Sequence, residues 1–474
     1  RQNMSSLYNC LLDQSILNER TTHLINTDWP KNMDRSRTSS QDRDVLPPRG
    51  DEGRISPSLD KEKSPSPEDQ PDAPPDGGLT AWLVVVGAWC TSFCSFGWVN
   101  SVGIFQNYYE SHLLKHLSSS TISWIPSLQI FFMFAMGPIV GKLYDTFGAR
   151  YLIIGGTFFH VFGLMMASIS TQYYQLLLSQ GICSAIGAAA IFQPALSAVS
   201  AWFNRKRGIA FATLSTGSSV GGVIFPIMVD RLIAKVGFGW SMRISAFMIL
   251  FLLGIAIVTV KARRPPQQGP KPSGVQLLQP FKEPVFIVTL LGYMLLTYGV
   301  FIPINYVIVQ AVASGMNADL ASYLVPMLNG ASLFGRLGAG FMSDRYGRYN
   351  IFIVMCIVAG VLVLALWIPA TSNAPIIVFA TLFGFASGAY VSLSPALIAQ
   401  ISPLKEVGYR TGLLFLFASV GGLTTSPIAG AILQNAGGDY AHMKIFSGVM
   451  LLGGTAFIIT ARIVGTGLKL VVKY

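Results

Sequence analysis

Arg336 is a charged residue inside an otherwise apolar stretch of the sequence. Asn329, Ser332 and Gly340 lie at spacings of three and four residues around it, so they share one helical stripe that ends near Asp344. A charged side chain inside a membrane helix is costly enough to be a functional hypothesis by default. A guanidinium stays charged and can bind a carboxylate through two hydrogen bonds. The stripe therefore predicts either an anion-binding site or an arginine satisfied by carbonyl groups of a neighbouring helix near a cytoplasmic gate.

The elements that carry such residues are membrane helices. The chain of 474 residues is 51% hydrophobic and only 12% charged, whereas soluble proteins carry about a quarter charged residues. Its apolar runs approach the roughly 20 residues that a helix needs to cross a bilayer, and they do not alternate as barrel strands do. We predict an all-α membrane protein with twelve transmembrane helices. They lie near 81–106, 121–141, 151–170, 174–201, 209–233, 241–261, 284–311, 321–342, 351–370, 375–400, 411–434 and 442–464.

Composition also argues against several other classes of protein. The net charge of +11 comes from cationic residues at helix ends rather than on one face, which does not suit a nucleic-acid partner. The five cysteines are scattered, and His, Asp and Glu form no cluster at membrane depth. We therefore predict no enzyme, no metal, no cofactor and no nucleic-acid partner. The expected partners are a small-molecule substrate and the lipid bilayer, with a monomer as the functional unit.

The first 75 residues are rich in Ser, Pro, Asp and Arg, which predicts a disordered tail (1–75). Lys and Arg concentrate in alternate loops, for example at 205–207 and 261–282, so these loops should be cytoplasmic. An even number of helices then places both chain ends in the cytoplasm. We expect the plasma membrane, with a vacuolar or other internal membrane as the alternative.

The chain also resembles itself at an offset of about 200 residues. Three short matches occur in the same order, at 141–148 and 340–347, at 194–196 and 395–397, and at 219–222 and 419–422. We predict a six-helix half at 76–262, a cytoplasmic linker at 263–282, a second six-helix half at 283–466 and a short tail at 467–474. Two such halves around a central site can expose that site to each side in turn, as transporters require.

The repeated pattern G-x-x-x-D-x-x-G resembles the cytoplasmic loop signature of the major facilitator superfamily. The first copy holds Gly141, Asp145, Gly148 and Arg150. The second copy holds Gly340, Asp344, Arg345, Gly347 and Arg348. We call these nine residues the gate motif. The resemblance implies the major facilitator fold, with the Asp and Arg charges bridging cytoplasmic helix ends in one conformation of the transport cycle.

Two further segments resemble the monocarboxylate porter family, and in particular its fungal members. These are Pro75-Asp76-Gly77-Gly78 with Trp82, and the stretch from Trp202 to Ala210. That resemblance implies that Arg336 anchors a substrate carboxylate. Animal members carry an acidic residue where Ser332 stands and a lysine where Asn100 stands, so their proton coupling is not implied here.

The superfamily resemblance also implies which helices line the substrate cavity. It adds Asn100, Tyr298, Asn305 and Tyr390 to Arg336, Ser332 and Asn329 as candidate substrate-binding residues. For Tyr298, Asn305 and Tyr390, a hydrogen bond between helices or a contact with lipid headgroups is the alternative to substrate binding. We expect a secondary active or facilitative transporter of a small organic anion or an acidic secondary metabolite. The alternatives are an exporter of a metabolite-cluster product with little carboxylate specificity, and a transporter-like sensor.

Overall fold

The computed structural model of the chain describes residues 74–263 and 277–467. Nearly all of the predicted tail (1–75), most of the predicted linker and most of the predicted C-terminal tail lie outside these residues. Eleven long helical segments form the described part. They are α1 (Leu79–Leu113), α2 (Trp124–Phe147), α3 (Ala149–Ala167), α4 (Tyr173–Trp202), α5 (Arg207–Thr259), α6 (Pro284–Ala313), α7 (Leu324–Tyr346), α8 (Arg348–Trp367), α9 (Asn373–Gln400), α10 (Val407–Asn435) and α11 (Ala441–Thr466).

Shorter elements interrupt or connect these segments. Single helical turns lie at Ser119–Ile122 and Ala318–Ser322, and a 3₁₀ turn lies at Gln279–Lys282. π-helical turns occur inside α1, α4 and α8. They span Phe93–Gly97, Tyr109–Leu113, Leu177–Ser184 and Leu362–Trp367.

Ten of the eleven described segments are long and apolar enough to cross a membrane. The other segment, α7, carries the polar stripe around Arg336 and several glycines, which lower its mean hydropathy. The predicted helices near 209–233 and 241–261 are both present in α5, a segment of 53 residues in which two helices meet at a kink. Gly237 interrupts α5 with non-helical backbone angles, φ 79° and ψ 167°. Counting the described segments therefore does not give twelve spans.

The gate motif is helical except at Gly148 and Gly347, so its prediction as a loop was wrong for its other residues. Helix α2 continues to Phe147 and α7 continues to Tyr346, four to six residues beyond the predicted ends. Charged residues such as Lys142 and Arg345 end the apolar pattern but not the helix, because a helix that leaves the membrane keeps its own backbone hydrogen bonds. Only Gly148 and Gly347 form the turns, at φ 77° and 101°, which other residues adopt with strain.

The helices pack through small residues and aromatic rings. A Cβ added to Gly97 of α1 would lie 2.8 Å from the Cα of Gly221 of α5, so the two helices meet at their backbones. Beside this contact, the rings of Phe93 and Trp98 lie 5.0 and 5.2 Å from the ring of Phe225. In lipid such close packing takes the place of the hydrophobic effect as the main force between helices.

The outer surface of the bundle is apolar. The exposed fractions of Phe158, Phe251, Phe334 and Phe341 are 61%, 70%, 68% and 63%. In water so many exposed rings would cause aggregation, but they match a lipid environment. A groove of about 370 Å³ between α3 and α4 belongs to this surface, and none of the predicted substrate-binding residues lines it. The regular structure of the described residues is all helical, as the sequence predicts.

Candidate functional site

Arg336 lies at the contact between α7 and α5. Its side chain is buried, with 5% exposed, and its Nε donates a hydrogen bond to Ser332 Oγ at 3.0 Å. The guanidinium also donates to the carbonyl oxygen of Ser215 and to the hydroxyl of Ser218, both on α5. All three acceptors are uncharged, and among residues 74–263 and 277–467 Arg336 forms no ion pair. The cation thus joins two helices from different repeats without a compensating negative charge.

The rest of the polar stripe contacts α1 and α5. Asn329 Nδ2 donates to Asn100 Oδ1 at 3.1 Å, and Asn100 Nδ2 donates to the carbonyl of Phe96 at 2.7 Å. A Cβ added to Gly222 of α5 would lie 2.7 Å from the Asn329 amide carbon, so Asn329 fills the space that this glycine leaves. The structure therefore brings four predicted residues, Asn100, Asn329, Ser332 and Arg336, into one polar seam between α7 and the first repeat.

The other three predicted substrate-binding residues lie apart from this seam. Tyr298 and Asn305 of α6 bond to Thr424 and Ser426 of α10, at 2.8 and 3.2 Å. Tyr390 of α9 bonds to Thr297 Oγ1 at 2.7 Å. Its ring also stacks on the ring of Tyr293, with the centroids 4.6 Å apart. These hydrogen bonds connect helices within the second repeat.

The sequence reasoning missed Gln193 of α4. Its side chain is 3% exposed, and neither its amide oxygen nor its amide nitrogen has a hydrogen-bond partner in the described part of the chain. An unpaired buried amide is costly, so such a group is a candidate for binding a small molecule or water. The sequence signal that could have identified Gln193 is that it is a polar residue, directly before Pro194, in an otherwise apolar helix. Ser392 of α9 is one of several other buried residues with an unpaired side-chain atom among the described residues.

The gate aspartates bind helix N-termini of the opposite repeat. Asp344 accepts hydrogen bonds from the backbone N–H groups of Gly208 and Ile209 at the start of α5, at 2.8 and 2.9 Å. Asp145 accepts from Gly408 and Tyr409 at the start of α10, at 3.2 and 2.9 Å. Each carboxylate thereby satisfies two N–H groups that the helix itself leaves unpaired and lies at the positive end of the helix dipole.

The gate glycines allow these contacts. A Cβ added to Gly141 would overlap the backbone of Gly408, and one added to Gly340 would overlap Ala212 and approach the carbonyl of Gly208. Only a glycine lets α2 and α7 come this close to the opposite helices. The gate contacts therefore hold the two repeats together on the side of the gate motif.

The gate arginines are placed less uniformly. Arg348 lies 3.8 Å from Asp344 and donates to the carbonyl of Asn204 in the connection before α5. Arg345 lies over the ring of Tyr346, with 5.7 Å from its guanidinium carbon to the ring centroid, and Arg150 is exposed. The predicted bridging of helix ends is thus made chiefly by the carboxylates and by Arg348.

This fold and gate define a class of membrane transporters, and the sequence comparisons agree. The sequence model of the Major Facilitator Superfamily matches residues 87–380 and 304–466, and the chain belongs to that superfamily. Transporters of this class bind small molecules and lie in the lipid bilayer as multi-pass proteins. A crystal structure of the E. coli fucose:proton symporter FucP superposes with a TM-score of 0.64 at 15% identity. The superposition covers 79% of this chain and 98% of that one, which shows the shared fold.

Two relatives from fungi are similar along most of the chain. The chain is 99% identical over 442 residues to the MFS transporter asaE of Aspergillus flavus, covering 93% of this chain and 100% of that protein. It is 52% identical over 414 residues to the Fujikurins efflux protein of Gibberella fujikuroi, covering 87% and 89%. The expected superfamily is confirmed.

Proposed function

We propose that this chain exports an acidic product of fungal secondary metabolism by alternating access. The direction and the kind of substrate are supported by the relative named as the Fujikurins efflux protein, at 52% identity. The acidic character of the substrate is supported by Arg336, which is buried and has only uncharged partners in the described residues. A buried cation without a counter-charge gains free energy from an anion, so a carboxylate that reaches it would be held firmly.

The polar seam gives the proposed site its shape. Arg336 binds the carboxylate, while Ser332 and Asn329 of α7 and Asn100 of α1 supply hydrogen bonds to other polar groups of the substrate. Tyr298, Asn305 and Tyr390 supply further polar groups on α6 and α9 of the second repeat. Because Ser215 and Ser218 already hold the guanidinium, substrate binding exchanges contacts between the repeats for contacts to the substrate. That exchange couples binding to the motion of one repeat against the other.

Twelve spans in two six-helix halves complete this proposal. Segment α5 crosses the membrane twice, on either side of Gly237, and α7 crosses once despite its polar stripe, which adds two spans to the ten apolar segments. The gate motif and both chain ends are cytoplasmic, as the Lys and Arg distribution predicts. The gate contacts of Asp145 and Asp344 then close the cytoplasmic side of the conformation described here. The functional unit is a monomer in the plasma membrane.

Counterflow in proteoliposomes tests the substrate class. Vesicles preloaded with an unlabelled aromatic monocarboxylate should accumulate the radiolabelled acid, and other carboxylic acids should compete. The matched carboxamides have nearly the same shape and no charge, so we expect them to compete at least about tenfold more weakly. Equal competition by acids and carboxamides would show that the transporter does not recognise the carboxylate group. Acid accumulation equal to that of protein-free vesicles would contradict the proposal altogether.

A proton-linked monocarboxylate porter is the second candidate. The two signature segments favour it, because Asp76 and the connection after Trp202 are in direct contact and form one structural unit. Against proton coupling, Ser332 and Asn100 stand where animal members carry charges. The counterflow vesicles can be given a pH gradient, and we expect fluxes with and without it to be equal. A flux several times larger with the gradient would favour the porter.

A further inference from the structure

Each repeat has an acidic residue directly in front of its first helix. Asp76 precedes α1 by three residues, and Glu283 immediately precedes α6. Asp76 binds the residues just before α5 and Glu283 binds the first turn of α10, and each of these two helix starts receives a gate aspartate from the opposite repeat. The superfamily gate motif includes neither residue. They occupy equivalent places in the two repeats, but Asp76 binds backbone N–H groups whereas Glu283 binds an arginine side chain.

Asp76 binds the backbone of the connection between α4 and α5. Its Oδ1 accepts hydrogen bonds from the N–H groups of Asn204 at 2.6 Å and Lys206 at 3.2 Å. Its own N–H donates to the carbonyl of Trp202 at 3.2 Å. Asp76 has a φ of 52°, and it is the one non-glycine residue with a positive φ in the described part of the chain. That backbone strain is retained because three hydrogen bonds fix the residue.

Glu283 binds the start of α10 through a side chain. Its two oxygens accept from Arg410 at 2.6 and 2.7 Å, and Arg410 also pairs with Glu406 at 2.9 Å. Arg410 is 2% exposed, and its guanidinium carbon lies 5.4 Å from the ring centroid of Phe286 in α6. A bidentate ion pair on a buried arginine fixes the first turn of α10 against α6.

The two ends of the gate are therefore built alike. At the start of α5, Asp344 comes from the second repeat and Asp76 from the first. At the start of α10, Asp145 comes from the first repeat and Glu283 from the second. The first turn of a helix frays easily, and its N–H groups must point at the gate carboxylate for the gate to close. A turn that is already fixed loses less conformational entropy when the gate forms.

We propose that Asp76 and Glu283 are positioning residues of the gate, which fix the helix N-termini that Asp344 and Asp145 bind. This inference rests on the alternating-access function proposed above. Loss of either residue raises the free energy of the conformation closed at the gate motif. The population then shifts toward the conformation open on that side.

Cysteine accessibility tests this shift without any substrate. The native cysteines are replaced by serine, and a single cysteine is placed at Ser343, which is fully buried beside the gate. In a second background the single cysteine is placed at Ser426, nineteen residues into α10 and about 28 Å from its gate end. The labelling rate with a membrane-impermeant maleimide is measured on vesicles of known orientation, with the full chain.

Asp76→Ala and Glu283→Gln should each raise the labelling rate at position 343 about five- to tenfold and lower it at position 426. Asp76→Asn retains one acceptor oxygen and should give a smaller rise. Asp230→Asn, which changes an exposed acid of α5 away from the gate, should leave both rates unchanged. A rise at both positions would indicate general loosening and would overturn the inference.

Asp344→Asn separates this inference from the proposed function. If Asp344→Asn raises labelling at position 343 while Asp76→Ala and Glu283→Gln do not, the positioning role is wrong and the gate proposal stands. If Asp344→Asn also leaves labelling unchanged, the gate proposal itself fails and the positioning role fails with it.

Discussion

Two interfaces between the repeats occupy equivalent positions but differ in chemistry. Helix α2 contacts α10, and α7 contacts α5. The two interfaces match in what we call the gate layer. It comprises Gly141 and Asp145 in one interface, Gly340 and Asp344 in the other, and the helix starts that these residues contact. Each glycine lets the backbones meet, and each aspartate accepts two N–H hydrogen bonds.

One turn deeper the two interfaces differ. We call this the deep layer. It comprises Gly137 in the interface of α2 with α10, Arg336 in the interface of α7 with α5, and the residues that each contacts. Gly137 packs backbone to backbone against Gly412, and the nearby rings of Phe134 and Phe415 stack with centroids 5.6 Å apart. On the other side, Arg336 reaches Ser215 and Ser218. The first interface is apolar at this depth, whereas the second is polar and charged.

The comparison separates two roles. A feature present in both interfaces serves the motion that both repeats share, so the gate layer belongs to opening and closing. A feature present in only one suits an asymmetric task, which agrees with the proposal that the substrate binds in the deep layer of α7 and α5. Three substitutions test this division, from the largest expected effect to the smallest.

Arg336→Ala should reduce transport about 100-fold or more, while the amount of protein in the membrane stays normal. The loss follows because no other cation in the deep layer can replace the charge-assisted hydrogen bonds to a carboxylate. Counterflow of the labelled acid measures the effect. Arg345→Ala serves as the control, since this exposed gate arginine should change transport by less than about twofold. Near wild-type counterflow in Arg336→Ala would place the substrate elsewhere.

Gly141→Val should reduce transport about tenfold or more without changing which acids compete. The added Cβ overlaps the backbone of Gly408, which cannot move away without shifting all of α10, so the gate layer stays open. Gly155→Val is the matched control, because a Cβ at Gly155 of α3 meets nothing within 4 Å. The two variants are compared by counterflow and by labelling of the cysteine at position 343. Equal transport in both variants would show that close contact at the gate is not required.

Asp145→Asn and Asp344→Asn should each reduce the transport rate about threefold to tenfold, and by similar factors. An asparagine keeps one acceptor oxygen but loses the negative charge at the helix N-terminus, an effect of about 1 kcal/mol. The apparent affinity for the acid should stay unchanged, because neither residue belongs to the deep layer. Transport rates measured over a range of acid concentrations give both quantities. A tenfold difference between the two variants would break the equivalence of the two gate layers.

Much of the fold follows from the sequence for simple physical reasons. Membrane helices need long apolar runs, and such runs are visible without any partner. The gate motif was visible as well, because its glycines and aspartates recur at the same spacing. The ends of α2 and α7 were misplaced since a helix outside the membrane has no apolar pattern to mark it. The two helices of α5 were predicted separately, and they meet at Gly237, whose backbone angles are not helical.

The sequence by itself determined the helical class, the repeat, the gate motif and the presence of a charged residue at depth in α7. Only the tertiary structure decided what these residues contact. Asp145 and Asp344 bind backbone N–H groups, which every helix start offers and which no side-chain pattern marks. Arg336 is held by Ser215 and Ser218, more than a hundred positions away in the chain. Gln193 has no hydrogen-bond partner among the described residues, which depends on how the helices around it pack. Spacing along one helix is fixed by local geometry, whereas contacts between helices depend on how all of them pack.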